Sequence, residues 1–388
     1  MLRSIRSRGP ISRTDLARET GLSKPTVNEV VEKLLAAGYV RESLPDDGAR
    51  PRRPGPRARL LSFRADLGHV LGVDIGANKI LVLLADLTGE IVASERRRTQ
   101  GDRDAAAVLR QVRAAASAAL ARAGVSRERL QSVVVGTPGV VDATGRVTLA
   151  PQLGGWEAIQ LGQRLGRSFS CPVLVDNEVR LSVLAERWRG SAQGIDEAIY
   201  VQVGVGIGAG ILIGGELYRG ATGAAGEVGY LPFGADEPSG EGLGPFEHAA
   251  GGHAYARLGQ AAARRSDGAA LRELAGGDPD AVDAEAVFGA ASRGDPAAAA
   301  IVEELVGRLA RGIAAAVVVL NPATVIVGGG ISRAGATLLE PLERALGSLV
   351  PVAPRLEVSS LGDEAVALGA VRLAVQEAEE RMFAFEGA

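Results

Sequence analysis

Between Val201 and Tyr230 the chain reads VQVGVGIGAGILIGGELYRGATGAAGEVGY, and these residue types suit a polar, hydroxyl-rich ligand. Gly204, Gly206 and Gly208 leave backbone N–H groups unshielded, which lets a turn take up a phosphate or another polar group at close range. Gly220, Gly223, Gly226 and Gly229 then surround one carboxylate, Glu227, which would offer a single acceptor to a set of hydroxyls. A glycine-rich hairpin with no ligand has the same spacing, so the surrounding elements carry the decision.

The glycines interrupt two short β-branched runs, 199–203 and 210–213, with the length of buried strands. These sit in a body of alternating strands and helices that starts at His69. HVLGVDIG, NKILVLLADLTG and EIVASERR make a three-stranded meander, followed by a helix over 103–123, strands in LQSVVVGTPG and CPVLVDNE, and a helix over 179–188. Beyond the hairpin come a long helix over 297–320, the strand TVIVGGG, a helix near 334–349 and a closing helix from about Glu364. Two α/β halves, each opening on a hairpin with a glycine turn, predict two sheet lobes facing each other over a ligand cleft.

The first 64 residues are different. Ser12 with Asp15 forms a capping box for a helix that Gly21 ends, and Ser23 caps a second helix that tolerates Pro25 in its first turn. Val27, Val30, Val31, Leu34 and Leu35 recur at helical spacing as its buried stripe. Two helices joined by a Gly-Leu turn form a helix-turn-helix. The start of the second helix, Ser23, Lys24, Thr26, Val27 and Asn28, is assigned to DNA, with Val27 belonging to the buried stripe as well. A strand over 39–44 and a turn at Pro45 to Gly48 lead into an acid-free stretch carrying Arg50, Arg52, Arg53 and Arg57. It reads either as a basic wing against phosphates or as a solvated linker. A first helix starting as early as Leu2 leads to the expectation that the native chain begins further upstream.

Charge supports this division. The whole chain carries −3, yet residues 1–64 hold fourteen Lys/Arg against seven Asp/Glu, a net +7, leaving −10 on the remainder. A basic head on an acidic body is the footprint of a nucleic-acid-binding module joined to something else. At 388 residues and 46 % hydrophobic content there is material for several domains. A single cysteine, Cys171, excludes an intrachain disulfide and any multi-cysteine metal site, and with no signal sequence or long apolar run the expectation is a cytoplasmic, non-membrane protein.

From residue 71 onward the chain resembles the ROK family (repressors, open reading frames and sugar kinases) of the actin-like sugar-kinase superfamily. LGVDIGANKI resembles the first phosphate motif, with Asp74, Gly76 and Asn78; VGVGIGAGIL resembles the second, with Gly204, Gly206 and Gly208. GTPGVVD resembles the sugar-proximal loop, VDNEV the base-bearing segment, GAAGEVGYL the signature loop and NPATVIVGGGIS the adenosine-side motif. The resemblance implies an α/β chain with a winged helix-turn-helix, residues 1–66, ahead of a two-lobed sugar-kinase-like body, residues 67–388. It also implies sugar contacts by Asn177, Glu178, Glu227, Tyr230 and Glu247.

The departures from the family pattern bear on chemistry. Asn78 and Val205 replace hydroxyl residues of the phosphate motifs, and Glu178 stands where the family carries an aspartate base, so a carboxylate is displaced by one methylene from where it must meet a proton. Tyr230 replaces the zinc-binding histidine, and Pro238, Gly240 and Pro245 stand at the cysteine positions, so no structural zinc is expected. His248 and His253 are expected to be structural. The expectation is a sugar-responsive regulator, a repressor of carbohydrate-metabolism genes. It would bind double-stranded operator DNA as a homodimer or tetramer, take a sugar or sugar-phosphate effector and need no cofactor, with vestigial phosphate loops and no catalytic residue. The alternative is an ATP-dependent, glucokinase-like sugar kinase with an added DNA-binding domain.

Overall fold

The computed structural model describes residues 1–44, 58–76, 78–99, 105–150, 156, 159–204, 206–233 and 242–384. The chain opens with α1 (Leu2–Arg8), β1 (Ile11–Ser12), α2 (Arg13–Thr20), α3 (Lys24–Ala36), β2 (Val40–Ser43) and β3 (Leu60–Phe63). Ser12 Oγ accepts from the Asp15 amide at 3.1 Å and donates to its carboxylate at 2.7 Å, while Ser23 Oγ accepts from the Thr26 amide at 3.3 Å. Gly21, at φ 68°, turns the chain between α2 and α3. β3 pairs antiparallel with both β1 and β2, which makes the winged sheet. Ile5, Leu16, Val31, Leu34 and Leu61 fill its core. Val27 is fully buried among them, which corrects its assignment to DNA: the side chain points inward on the α3 stripe and cannot reach a base. The expected basic tip, with Arg50, Arg52, Arg53 and Arg57, lies outside the described residues.

The first lobe holds β4 (His69–Ile75), β5 (Lys79–Asp86), β6 (Ile91–Arg98), α4 (Ala105–Ala123), β7 (Leu130–Thr137), the hairpin β8 (Val140–Val141) and β9 (Val147–Leu149), α5 (Leu161–Gly166), β10 (Val173–Asn177) and α6 (Glu178–Arg189). The second holds β11 (Ala198–Val203), β12 (Ile207–Ile213), β13 (Glu216–Leu217), α7 (Pro245–Ala250), α8 (Gly252–Ala263), α9 (Ala269–Leu274), α10 (Ala284–Ser292), α11 (Pro296–Leu320), β14 (Thr324–Gly328), α12 (Ala336–Gly347) and β15 (Arg355–Val358). The closing helix, α13 (Ala365–Ala384), follows.

The two main sheets run β10-β7-β4-β5-β6 and β15-β14-β11-β12-β13. In each, an antiparallel meander of three strands is extended by two parallel strands. The lobes are thus two copies of one topology. The helices after the equivalent strands β10 and β15, α6 and α13, pack against each other, and α13 returns to cover the first sheet with Val371, Ala374 and Val375. α6 is buried on nearly every side from Val179 to Glu186. Leu181 and Ala185 face the first lobe and Val179 and Val183 face the second. A helix apolar on opposite faces is a core helix, and this one is the spine between the lobes.

The expected order of the main elements is reproduced, with differences at the ends. The hairpin's second strand starts at Ile207 rather than 210, because β11 and β12 stay in register as far as the Val203–Ile207 pair. Gly208 therefore lies in the strand opposite Gln202, not in the turn. Its reason is packing: side chains at 208 and 210 would run into Val179 at the head of α6, at 3.1 Å from its Cγ2 and 2.3 Å from its carbonyl oxygen. Helices α5 and α7 to α10, the β8–β9 hairpin, β13 and β15 were not expected, because alanine- and glycine-rich sequence gives a shallow hydrophobic period.

Candidate ligand-binding cleft

Between the lobes lies a cleft of about 920 Å³, lined by both glycine turns, the head of α6 and the 226–230 loop. It gathers Asp74, Gly76, Asn78, Asn177, Glu178, Gly204, Gly206, Gly208, Glu227, Tyr230 and Glu247. The structure thus brings together candidates drawn from five separate stretches of sequence. Val205, Pro238 and Gly240 lie outside the described residues.

What these side chains are free to do differs. Asn177 is the N-cap of α6: its Oδ1 accepts from the amides of Val179 (2.9 Å) and Arg180 (3.1 Å), and its Nδ2 donates to the Gly139 carbonyl at 2.9 Å. One amide hydrogen remains for a ligand. Glu247 is similarly committed, with Oε1 accepting from the Ile207 amide at 2.8 Å and Oε2 from the Gly244 amide at 2.9 Å, so it fixes the hairpin turn to the start of α7. Pro245, at a would-be cysteine position, opens that helix. Both residues line the cleft with their oxygens already accepting from backbone amides.

Glu227 and Glu178 are the carboxyls that face the cleft with capacity to spare. Burial and then the neighbouring Glu247 push the Glu227 carboxyl up. Glu178 accepts from Gln202 Nε2 at 2.8 Å, and burial, followed by the charge of Asp74, pushes it up to about 8. At neutral pH it therefore holds its proton and offers an O–H rather than a base. Asp74 is buried and raised by that burial, with Lys79 Nζ 3.1 Å from its Oδ2. Tyr230 is 45 % exposed at the rim, its phenol raised by burial and by Glu247.

A buried ion network holds the loops in place, and motif reading did not find it. Arg180, 2 % exposed, donates from Nε to Asp176 Oδ1 at 2.6 Å, from Nη1 to the Gly223 carbonyl at 2.9 Å and from Nη2 to the Val141 carbonyl at 2.8 Å. Arg219 reaches Asp176 Oδ2 at 2.8 Å. One arginine thus ties the spine helix to the loop that carries Glu227 and to β8 of the first lobe. The i, i+4 spacing of Asp176 and Arg180 was the available signal. Among the described residues no group of three His, Cys, Asp or Glu side chains could hold a metal ion; His248 lies 3.0 Å from Arg257 Nη1.

In the N-terminal module, Ser23, Lys24, Thr26 and Asn28 are all exposed at the head of α3. Arg13 beside them is held by Glu32 and Glu42 at 2.9 Å each. No helix among the described residues is long and apolar enough to cross a membrane.

The ROK family profile matches residues 70–377 and a MarR family profile matches residues 1–50. The xylose repressor of Caldicellulosiruptor bescii is 29 % identical over 384 residues, 97 % of this chain and 94 % of that protein. The glucokinase of Thermotoga maritima is 30 % identical over 289 residues, 73 % of this chain and 88 % of the enzyme. Among solved structures, a ROK family glucokinase from Streptomyces griseus in complex with glucose and AMPPNP has a TM-score of 0.71 at 29 % identity, covering 80 % of this chain and 100 % of its own. A ROK family transcriptional regulator, a homolog of E. coli Mlc, has a TM-score of 0.77 at 24 % identity, covering 99 % and 96 %. With its two lobes, its interlobe cleft and a profile match over most of its length, this chain belongs to the ROK family.

Proposed function

We propose that this chain is a sugar-responsive transcriptional repressor in the cytoplasm. It binds an operator as a homodimer through the winged module and senses a small carbohydrate in the cleft. The observation that carries the reading is the exposed head of α3, with Ser23, Lys24, Thr26 and Asn28 open to solvent, on a basic module that a MarR family profile matches in a chain 97 % covered by a xylose repressor relative. Glu227, Glu178 and Tyr230 supply acceptors and donors for hydroxyls. A ligand changes operator affinity only by binding two lobe arrangements unequally, so closure on the sugar must alter the placement of the two α3 helices on DNA. The half-sites must lie about 34 Å apart or a multiple of it.

The test is a gel shift on the gene's own upstream DNA with a panel of aldoses. Operator binding released or tightened by one sugar, and a Glu227→Ala chain that binds DNA but ignores that sugar, are the expected results. A fully responsive Glu227→Ala chain places the effector elsewhere. Arg52→Ala and Arg53→Ala should each weaken binding and lower the slope of log K against log salt by about 1; unchanged slopes remove the wing from the interface.

The second reading, an ATP-dependent sugar kinase, is favoured by Asp74, the glycine turns and the glucokinase relatives. Glu178 opposes it, being longer than the family base and protonated at neutral pH. A coupled kinase assay against aldohexoses separates the two, with turnover abolished by Glu178→Gln as the result that restores the enzyme.

A further inference from the structure

Arg13, at the start of α2, joins α3 to the winged sheet. Its Nε and Nη2 donate to Glu42 Oε1 of β2 at 3.1 and 2.9 Å, and its Nη1 lies 2.9 Å from Glu32 Oε1 and 3.4 Å from Asn28 Oδ1, both on α3. Glu42 Oε2 accepts in turn from Nη1 of Arg59, the residue before β3, at 3.2 Å. Arg13 is 27 % and Glu42 16 % exposed, so their pair is better shielded than the open surface pairs that contribute little. Every nitrogen of the Arg13 guanidinium is thereby engaged within the protein, which makes it a positioning residue rather than one that meets a base.

Arginine carries donors and no acceptor, so the Asn28 atom that faces it is the amide oxygen. Nδ2, with its two hydrogens, is the end left for DNA. An asparagine that reads adenine needs both ends side by side on one base edge, Oδ1 accepting from N6 and Nδ2 donating to N7. With Oδ1 turned to Arg13, that edge is not available. Cytosine presents a donor, N4–H, and needs an acceptor, but the carboxylates of α3 face cations: Glu32 lies on the same guanidinium and Glu29 accepts from Lys33 Nζ at 3.0 Å. The hydroxyls of Ser23 and Thr26 are 2.8 Å apart and bond to each other. What stands outward on exposed residues is a pair of donors, the Lys24 ammonium and Asn28 Nδ2. Guanine is the base whose major-groove edge offers two acceptors, O6 and N7, and no donor.

We propose that α3 reads a guanine through Asn28 Nδ2, and that Arg13 sets this preference by holding the amide oxygen away from the base. This rests on the reading of the N-terminal module as an operator binder and narrows it to one base and the residue that selects it.

Selection of duplexes from a randomised pool by the full chain, followed by fluorescence anisotropy on the selected operator with single base pairs exchanged, tests the proposal. Each half-site is expected to hold a guanine at which adenine binds about fivefold or more weakly. Replacing that guanine by 7-deazaguanine, which has a C–H in place of N7, should weaken binding too. Asn28→Ala should lose the discrimination at that base pair and keep it at the others. In Arg13→Ala, where the amide is free to turn, the ratio of guanine to adenine affinity falls to about one, and Arg13→Lys, which restores a cation beside Asn28, recovers part of it. A purely structural role for Arg13 lowers binding to all duplexes alike and leaves the ratio as it was. Should Arg13→Ala not fold, Asn28→Ala and the 7-deazaguanine duplex decide, since Asn28 is exposed and outside the core. If Asn28→Ala alters discrimination at an adenine, at a cytosine or at no base, or if the guanine preference survives in folded Arg13→Ala, the proposal is overturned and the operator binder stands. Selection of no duplex overturns both.

Discussion

Glu178 is half-buried at the head of α6, with the charge of Asp74 nearby, and keeps its proton to about pH 8. Its folded-state carboxyl is therefore a weaker acid than in the unfolded chain. Below the ordinary carboxylate range both states are protonated and nothing changes. Between about pH 5 and 8 the unfolded state gives up a proton that the folded state keeps, so stability falls as pH rises, by at most about 1.4 kcal/mol per pH unit from this group. Glu178→Gln should flatten that decline in melting temperature over the same window; an unchanged profile would mean the carboxyl ionises normally. At this scale the sequence showed which residues meet at the cleft but not which are free to act. Asn177 and Glu247 carry motif positions, yet their oxygens are taken by the backbone, and a spacing pattern cannot tell an acceptor in use from one in reserve. Arg180 had no motif at all, since its partners, the carbonyls of Gly223 and Val141, are backbone atoms far away in the chain.

The element on which most depends is α6, whose N-cap Asn177, first residue Glu178 and third residue Arg180 all serve the cleft. Asn177→Ala should cost about 1 kcal/mol for the lost cap, with further loss for the bond to Gly139, while Asn177→Asp should keep most of the helix term; denaturant midpoints distinguish them. Arg180→Ala leaves Asp176 without its buried partner, a change of about 3–5 kcal/mol, and should also loosen the Glu227 loop, so that sugar affinity falls even at temperatures where the variant is folded. Retained sugar affinity would show that the loop is positioned by other contacts. The helix itself was legible from its polar flanks and position in the order of elements. Its role as the spine was not, because a helix buried on every side lacks the single apolar stripe by which an amphipathic helix announces its facing. The same limitation hid α7 to α10, where alanine supplies helix propensity but little pattern.

At the scale of the whole molecule, the winged module is tied to the body through α1 and β3. Arg6 of α1 ion-pairs with the buried Glu379 of α13 and donates to the Leu87 carbonyl at 3.4 Å. Phe63 of β3 packs against the cores of both parts. Since α13 rests on α6, the helix that carries Glu178, the cleft and the DNA-binding head share one pair of packed helices. Arg6→Ala should bring the ratio of operator affinities with and without sugar towards one, as read by fluorescence anisotropy, whereas an unaltered ratio would place the coupling elsewhere. The division into a basic head and an acidic body was legible from charge alone, and the facing lobes from the repeated hairpins, because both are properties of long windows in which local errors average out. The swap that returns α13 to the first lobe was invisible, since nothing in a helix's own residues says which of two equivalent sheets it will cover. That return has a consequence for biosynthesis. A ribosome has to translate the entire second lobe before the wall that seals the first becomes available, and the head, made ahead of both lobes, finds its mooring at Glu379 only after the second lobe is complete. A transcript cut short before residue 365 would therefore yield a half-open, unmoored product suited to proteolysis rather than a weaker regulator.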